Sequence, residues 1–263
     1  MNDRADIPVQ RDLHVTRITL HNPAKRNAMC QLMWQRLGDA LQAAHEDAEL
    51  RVLVLSGAGD KACCAGNDIS EFKTWRDDPA RHAAYEAASQ RAMDLLRSLP
   101  VPAIARIRGA CVGGGLEIAL ACDLRIASAD ARFAITPARL GLGYTLRDVS
   151  LVVDTVGAAA ARRLLYTGRM HDAGEALAMG VLDALAAPGE LDSAVDALVH
   201  TIAGNAPLTI RALKAALGEA VKPSAQRDEA RVQAMVDACH ASADYQEGQR
   251  AFAEKRTPRF RGR

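Results

Sequence analysis

Apolar residues follow two different spacings along the first two-thirds of the chain. Short runs that are apolar at alternate or successive positions predict strands at residues 15–20, 51–55, 103–108, 124–127 and 132–135. Longer stretches with apolar residues every three to four positions predict helices at residues 31–46 and 80–99. Because strands alternate with helices, we expect an α/β domain built on a sheet.

The last third of the chain has a different pattern, which is almost wholly helical after about residue 158. One further strand is predicted at residues 181–186. Helices are predicted at residues 158–166, 172–179, 191–204, 207–221 and 224–254. We expect these helices to pack as a layer on the sheet domain or on a neighbouring subunit.

Composition narrows the class of protein. The 263 residues are 49% hydrophobic and 25% charged, which is typical of folded globular proteins. A net charge of +1 and an aromatic content of 4% give no reason to expect nucleic acid or a membrane surface as partner. The polar N-terminus does not resemble a signal peptide. Six cysteines without paired spacing predict reduced thiols, no metal site and a cytoplasmic location.

A glycine-rich segment at residues 108–122 is the strongest chemical signal. Three consecutive glycines, Gly113 to Gly115, lie between a predicted strand and an apolar predicted helix. Glycine permits a close backbone approach, and the start of a helix presents unpaired N–H groups at the positive end of its dipole. This combination predicts a site for an anion or for a developing oxyanion.

Glu117 lies in the first turn of that predicted helix. A glutamate there can cap the helix by accepting backbone hydrogen bonds. However, Leu116 and residues 118–121 are apolar, so desolvation should raise the pKa of Glu117 toward the value that a general acid or base requires. The helix dipole opposes this shift, and both interpretations remain open.

Residues 62–69 form the second candidate segment. Ala65 and Gly66 can turn the backbone so that one N–H points into a cleft, and Asp68 can cap a following helix. Together with the glycine-rich segment, this one would supply the second N–H of an oxyanion hole. The chain contains no GxGxxG, GxxxxGK[ST] or GxSxG motif, so the sequence supports neither a dinucleotide fold, a P-loop nor an α/β-hydrolase.

The two segments, in this order, resemble the crotonase (enoyl-CoA hydratase/isomerase) superfamily. The resemblance extends over roughly residues 12–257 and includes the segments at 22–29, 62–69, 109–117, 121–127, 165–169, 173–176 and 180–182. It implies an α/β fold, in which a spiral of ββα repeats (residues 1–200) binds a CoA thioester and a C-terminal helical region (residues 201–263) forms a trimer. It also implies an acyl-CoA substrate, a homotrimer or dimer of trimers, and no cofactor beyond the coenzyme A of the substrate.

The resemblance also implies roles for individual residues. The N–H groups of Ala65 and Gly114 would polarise the thioester carbonyl and hold the enolate, with Glu117 as the first catalytic glutamate. Lys25 and Arg26 would lie near the nucleotide end of CoA. The remaining expected CoA contacts are Ala62, Asn67, Asp68 and Ile69, together with Phe252 and Lys255 from a helix near the tail.

One segment departs from the hydratase pattern. Aligning residues 133–141 with the family places Pro137 where hydratases have a second glutamate. A proline cannot exchange protons, so a mechanism with two glutamates is in doubt. Thr136 and Tyr144 resemble the methylmalonyl-CoA decarboxylase branch, although that branch has a histidine at the position of Asn67.

Three functions follow from these observations. The first is a hydratase-type lyase that adds water to a 2-enoyl-CoA with the help of Glu117. The second is a decarboxylase of a methylmalonyl-CoA-like ester, which would use Thr136 and Tyr144. For that reaction, Arg147 could meet the substrate carboxylate, although an ion pair with Asp148 is the favoured interpretation. The third is a non-catalytic acyl-CoA-binding or RNA-binding member of the family.

Overall fold

Two sheets carry the strands of the α/β region. The structure, a computed structural model, describes residues 5–71 and 78–263. Its strands are β1 (Val9–Asp12), β2 (Val15–Leu20), β3 (Val52–Gly57), β4 (Ala62–Cys64), β5 (Ala103–Ile107), β6 (Ala110–Val112), β7 (Leu124–Ser128), β8 (Arg132–Ala134), β9 (His171–Asp172) and β10 (Ala184–Ala186).

The larger sheet has the order β1-β2-β3-β5-β7-β10, and the smaller one has the order β4-β6-β8-β9. In the larger sheet, β1 pairs antiparallel with β2 and all other pairs are parallel. In the smaller sheet, β4, β6 and β8 are parallel and β9 is antiparallel. Parallel strands need crossover connections, which the helices provide here.

The described helices, numbered in chain order, are α1 (Gln31–Glu46), α2 (Pro79–Ser98), α3 (Gly114–Leu120), α4 (Pro137–Leu140), α5 (Leu146–Thr167), α6 (Ala173–Ala178), α7 (Leu191–Gly204), α8 (Pro207–Ala220), α9 (Glu229–Ala241) and α10 (Ala243–Ala253). Short 3-10 turns lie at Pro23–Lys25 and Ser224–Gln226. None of the helices in the described ranges is long and apolar enough to cross a membrane.

Successive strands alternate between the two sheets in a repeating pattern. β3, β5 and β7 each enter the larger sheet, and the strand after each of them, β4, β6 or β8, enters the smaller one. A described helix follows each pair, namely α2, α3 or α4. This confirms the predicted spiral of ββα repeats. It also places the ends of β4 and β6, which are neighbours in the smaller sheet, side by side.

The core fills the space between the sheets and the helices that cover them. Its large, fully buried side chains include Leu37 and Leu41 of α1, Leu96 of α2, and Phe133 of β8. A second cluster lies where α7 packs on the larger sheet, and it consists of Val52, Val54, Ile104, Ile126, Ala186, Leu191, Val195 and Val199. Burial of apolar surface on both faces explains why the central strands are almost continuously apolar.

Several predicted elements need correction. The helix predicted at residues 224–254 is divided at Ser242, whose extended backbone (φ −77°, ψ 154°) and side chain cap α10. The helix predicted at residues 158–166 begins earlier, at Leu146, and contains a kink at Gly157. β4 and β6 were not predicted because strands of three residues are too short to establish an alternation. The division into residues 1–200 and 201–263 stays a prediction, and its boundary lies within α7.

Candidate active site

A cavity of roughly 520 Å³ lies where α1, α2, α3 and the loop before α5 meet the segment that follows β4. Both candidate segments of the sequence contribute to its wall. Its lining residues are Trp34, Asn67, His82, Tyr85, Glu86, Ser89, Gln90, Met93, Arg97, Gly114, Glu117, Leu142, Gly143, Tyr144, Thr145, Arg147, Asp148 and Leu151. The wall combines apolar side chains with many polar and charged ones, and a concave site of this size is typical of small-molecule binding.

The glycine-rich segment places the start of α3 at this cavity. Helix α3 begins at Gly114 directly after β6. A Cβ atom on Gly115 would lie 2.4 Å from the carbonyl oxygen of Cys64, so only glycine allows α3 to pack this closely on β4. The N–H of Gly114 donates to no acceptor among the described residues, as expected for the first residue of a helix.

The prediction that the N–H of Ala65 is one of the two donors of the oxyanion hole is wrong. The Ala65 N–H donates to the carbonyl oxygen of Arg26 at 3.0 Å, so this group is already used within the fold. Gly66 follows with a positive φ of 96°, which turns the chain toward α3. A Cβ atom on Gly66 would lie 3.4 Å from the nitrogen of Gly114, so the two segments are in contact.

Asn67, two residues after Ala65, lies in the position that Ala65 was expected to occupy. Met29 holds the residues on either side of it, because the Met29 N–H donates to the Gly66 carbonyl (2.8 Å) and the Asp68 N–H donates to the Met29 carbonyl (2.9 Å). The N–H of Asn67 itself donates to no acceptor in the part of the chain that is described. Two N–H groups without an acceptor among the described residues therefore belong to residues that line the cavity, Asn67 and Gly114.

Glu117 is the fourth residue of α3, one position beyond the one that a capping glutamate occupies. Its Oε1 atom is buried and has no hydrogen-bond partner among the described residues. Burial raises the pKa of Glu117 from its ordinary value of 4.5 to about 7, and the negative charge of Asp148 acts in the same direction. A hydrogen bond from the Tyr144 hydroxyl opposes this rise. At neutral pH the carboxyl group can therefore both accept and donate a proton.

Tyr144 lies on the loop between α4 and α5 and packs against the core. Burial and the negative charge of Glu117 raise the pKa of its hydroxyl well above the ordinary value, so Tyr144 remains a hydrogen-bond donor. The following residue, Thr145, forms a capping box with Asp148, in which the Thr145 hydroxyl donates to the Asp148 carboxylate at 2.7 Å. This capping box fixes the start of α5 directly after Tyr144.

Thr136 and Pro137 lie outside the group of residues that line the cavity. Thr136 precedes α4, and Pro137 is the buried first residue of that helix. Proline is favourable there because its fixed φ suits a helix start and its missing N–H needs no partner. Thr136 and Glu117 were both candidate catalytic residues, and only Glu117 is among the residues that line this cavity.

Most of the predicted CoA contacts lie beside the segment that carries Asn67. The Lys25 ammonium pairs with the buried carboxylate of Asp68 at 2.6 Å and also donates to Ser70. Arg26 and Ile69 are exposed in the same region. Ala62 is buried in β4, and its carbonyl accepts from the side chain of Asn27 at 2.8 Å.

Phe252 and Lys255 do not line the Glu117 cavity. Phe252 is 88% exposed and lies on α10, where it lines a separate groove between α8, α9 and α10. Lys255 follows the end of α10. Within one chain, the two residues are therefore not part of the site, and their contact with CoA stays a prediction.

Two cavity residues, Trp34 and Tyr85, were not found from the sequence. The Trp34 Nε1 atom donates to the Tyr85 hydroxyl at 2.9 Å, and the two residues are only 3% exposed. They lie on α1 and α2, which pack against each other although 51 positions separate the two side chains. A single aromatic residue in each helix gives no local signal that distinguishes a cavity wall from an ordinary core.

The cysteines lie in the fold as thiols rather than as a metal site or a disulfide. All six are free, and burial raises the pKa of Cys64 and of Cys122 to about 12. Such thiols are poor nucleophiles at neutral pH, because only the thiolate is reactive. Within residues 5–71 and 78–263, no group of three or more His, Cys, Asp or Glu side chains is placed to hold a metal ion.

The raised pKa of Glu117 makes stability depend on pH. The folded protein binds the Glu117 proton more tightly than the unfolded chain does. This proton binding adds to the free energy of unfolding fully below about pH 4.5, and the added stability is lost as the pH rises through about 7. Glutamine cannot ionise, so we expect Glu117→Gln to have a higher free energy of unfolding than the wild type at pH 8. This difference between variant and wild type should shrink toward pH 5. Urea unfolding at both pH values measures this. A difference that is the same at both values would contradict the assigned burial.

Comparisons with known proteins show which family the whole chain is similar to. The family profile described as enoyl-CoA hydratase/isomerase matches residues 10–263. A crystal structure of an enoyl-CoA hydratase/carnithine racemase from Magnetospirillum magneticum superimposes with a TM-score of 0.91 at 33% identity, covering 100% of this chain and 97% of that one. The (E)-benzylidenesuccinyl-CoA hydratase of Thauera aromatica is 32% identical over 249 residues, which are 95% of this chain and 96% of the relative.

A relative with a different activity is equally similar. The methylmalonyl-CoA decarboxylase of Escherichia coli is 32% identical over 242 residues, which are 90% of this chain and 91% of that protein. The profile match, the fold and the full-length relatives all agree with the resemblance that the two candidate segments carry. The chain therefore belongs to the enoyl-CoA hydratase/isomerase family, within the crotonase superfamily.

Proposed function

We propose that the protein is an acyl-CoA lyase that adds water to a 2-enoyl-CoA. The observation that carries this proposal is the presence, in one cavity, of two uncommitted N–H groups and a carboxyl group with a pKa of about 7. Two converging backbone donors suit a thioester oxygen that gains negative charge. A glutamate that exchanges protons at neutral pH suits the transfer of a proton between water and carbon.

In this mechanism, the N–H groups of Asn67 and Gly114 bind the thioester oxygen and draw electron density from the conjugated double bond. Glu117 takes a proton from water as the water oxygen bonds to C3. The electron pair of the double bond moves to form an enolate, whose charge rests on the bound oxygen. Glu117 then delivers a proton to C2, which restores the carboxylate and completes the addition of one water molecule. A single carboxyl group suffices, so Pro137 does not block this route.

The direct experiment is to offer crotonyl-CoA and longer 2-enoyl-CoA esters to the purified full chain and to identify the products by mass spectrometry. We expect a gain in mass of one water molecule, at a rate that depends on Glu117. The absence of any hydrated ester from a folded protein would reject the hydratase proposal.

A second candidate is decarboxylation of a methylmalonyl-CoA-like ester. It is supported by Pro137 at the position of the second hydratase glutamate and by the placement of Tyr144 against Glu117. The bond from C2 to the carboxylate would break, its electrons would form the same enolate, and a proton would then add to C2. Arg147, however, pairs with Asp94 rather than with Asp148, so a substrate carboxylate would have to compete for this guanidinium.

Tyr144→Phe distinguishes the two reactions. If hydration is the activity, we expect the variant to retain turnover while the acidic limb of kcat/KM moves to higher pH, because the lost hydrogen bond no longer lowers the pKa of Glu117. If decarboxylation is the activity, CO₂ release from methylmalonyl-CoA or ethylmalonyl-CoA should occur in the wild type and fall in the variant. Tyr166→Phe, at an exposed position on α5, is the control. Two findings together would contradict both roles assigned to Tyr144, in tuning the pKa of Glu117 and in decarboxylation. They are an acidic limb that stays at the same pH in the variant and a wild type that releases no CO₂.

An acyl-CoA substrate is consistent with the family, and we propose it here together with the assembly and the location. Exposed apolar side chains on α8 and α10 support a contact between subunits, as a homotrimer or a dimer of trimers would require. They are Leu213, Leu217 and Phe252, with Val221 at the end of α8. A cytoplasmic location agrees with the six unpaired thiols.

A further inference from the structure

A chain of hydrogen bonds connects one wall of the cavity to the segment that carries Asn67. The Trp34 Nε1 atom donates to the Tyr85 hydroxyl at 2.9 Å. The Tyr85 hydroxyl in turn donates to the carbonyl oxygen of Met29 at 3.0 Å. Both distances are those of well-formed hydrogen bonds. Two aromatic residues in the cavity wall are therefore joined to a backbone group outside that wall.

Met29 is the residue that determines which way Asn67 faces. Its side chain is fully buried, and its backbone forms a parallel bridge with Asn67 by bonding Gly66 and Asp68 on either side. Because Met29 binds these two neighbours, the N–H of Asn67 is left to point away from Met29. A Cβ atom on Gly66 would lie 3.4 Å from the Gly114 nitrogen, and one on Gly114 would lie 3.1 Å from the Asn67 Oδ1 atom, so the second donor lies close to Asn67.

The Met29 carbonyl accepts two hydrogen bonds, one from the Asp68 N–H at 2.9 Å and one from the Tyr85 hydroxyl at 3.0 Å. A carbonyl oxygen has two lone pairs, so both bonds can form at once, and together they fix the direction of the C=O group. The tyrosine is itself held by Trp34 between two packed helices. Donor groups placed by locked side chains are more accurately oriented than donor groups on a free loop.

We propose that Tyr85, supported by Trp34, is a positioning residue that aims the Asn67 N–H at the substrate carbonyl through Met29. The inference rests on the proposed oxyanion hole. Because Trp34 and Tyr85 also line the cavity that would receive the acyl group, the same two residues make contact with the substrate chain and hold the donor. The alignment of the Asn67 N–H with the substrate carbonyl then depends on how an acyl group packs on this wall.

The test uses a readout that does not need turnover. A 4-(dimethylamino)cinnamoyl-CoA probe absorbs at longer wavelength when hydrogen bonds polarise its thioester carbonyl, so its red shift on binding reports the strength of the hole. We expect a clear red shift with the wild-type chain and a smaller one with Tyr85→Phe, which removes only the hydroxyl. For an accepted enoyl-CoA, kcat should fall roughly tenfold with a smaller change in KM, since even modest misplacement of a catalytic group is costly.

Tyr166→Phe is the matched control, because it removes the same hydroxyl from an exposed tyrosine. Trp34→Phe is a second variant that keeps the bond from Tyr85 to Met29, and its loss of red shift should lie between wild type and Tyr85→Phe. Thermal unfolding shows whether each variant is folded. If Tyr85→Phe does not fold, the red shift of Trp34→Phe tests the positioning role instead.

Three results would overturn the inference, and they separate a failure of the positioning role from a failure of the proposed hole. A wild-type red shift that persists in full in Tyr85→Phe and Trp34→Phe would leave the oxyanion hole intact and reject the positioning role. A change confined to KM would likewise reject it, because it would indicate packing against the acyl group alone. Absence of a red shift in the wild type would reject the proposed hole itself, and the inference with it.

Discussion

Replacing Glu117 by glutamine should reduce the hydration of a 2-enoyl-CoA by about 10²- to 10⁴-fold in kcat, which is the range for removal of a general acid or base. Glutamine is nearly the same size, so packing at the start of α3 is preserved. What is lost is the carboxyl group whose burial raises its pKa to about 7. Steady-state kinetics with crotonyl-CoA measures the effect.

The loss should fall on kcat more than on KM, because Glu117 acts on water and on carbon rather than on the CoA group. Glu46→Gln, at the exposed end of α1, is a matched control and should behave like the wild type. Equal kcat values in Glu117→Gln and the wild type would assign hydration to a different group and refute the proposed mechanism.

Removing the N–H of Gly114 should have a comparable effect. Proline is tolerated at the first position of a helix, which Gly114 occupies, so Gly114→Pro deletes the donor at a position where the ring suits the backbone. Loss of one oxyanion donor typically costs about 10²- to 10³-fold in kcat. We expect a loss of this size in turnover, together with a reduced red shift of bound 4-(dimethylamino)cinnamoyl-CoA.

Gly114→Ala separates the missing N–H from added bulk. It keeps the donor and adds a methyl group 3.1 Å from the Asn67 Oδ1 atom, which requires only a small movement of that side chain. Its loss of turnover should be much smaller than that of Gly114→Pro. If alanine and proline were equally harmful, space at this position would matter and the N–H would not, which would contradict the assigned role of Gly114.

The sequence was informative where a signal is local and periodic. Helix α1 was predicted with its observed bounds, and the central strands followed from runs of apolar residues. The sequence pattern gave a wrong prediction where a single residue changes the backbone conformation. Ser242 divides a stretch of uniform helical pattern because its side chain can cap the helix that follows. A positive φ at Gly157 bends α5 in the same unpredictable way.

The same difference applies to the candidate site, where some residues were predicted from local sequence and one donor was not. Gly114 and Glu117 could be found because three glycines before an apolar helix are unusual in themselves. The other donor was assigned two residues too early, since neighbouring N–H groups in a loop differ only in direction. Pairing of Ala65 with Arg26 and of Met29 with Gly66 and Asp68 sets that direction, and these partners are distant in the chain.

The amino-acid order alone predicted helix α1, the central strands and the glycine-rich segment with Glu117, because each depends on residues close together in the chain. Its motifs also resemble the family to which the chain belongs. Only the tertiary structure decided that Asn67 lies at the cavity, that Thr136 does not, and that Trp34 and Tyr85 hold the wall. The physical reason is that a hydrogen bond needs both distance and direction. When its two partners come from separate elements, both quantities are fixed by how those elements pack.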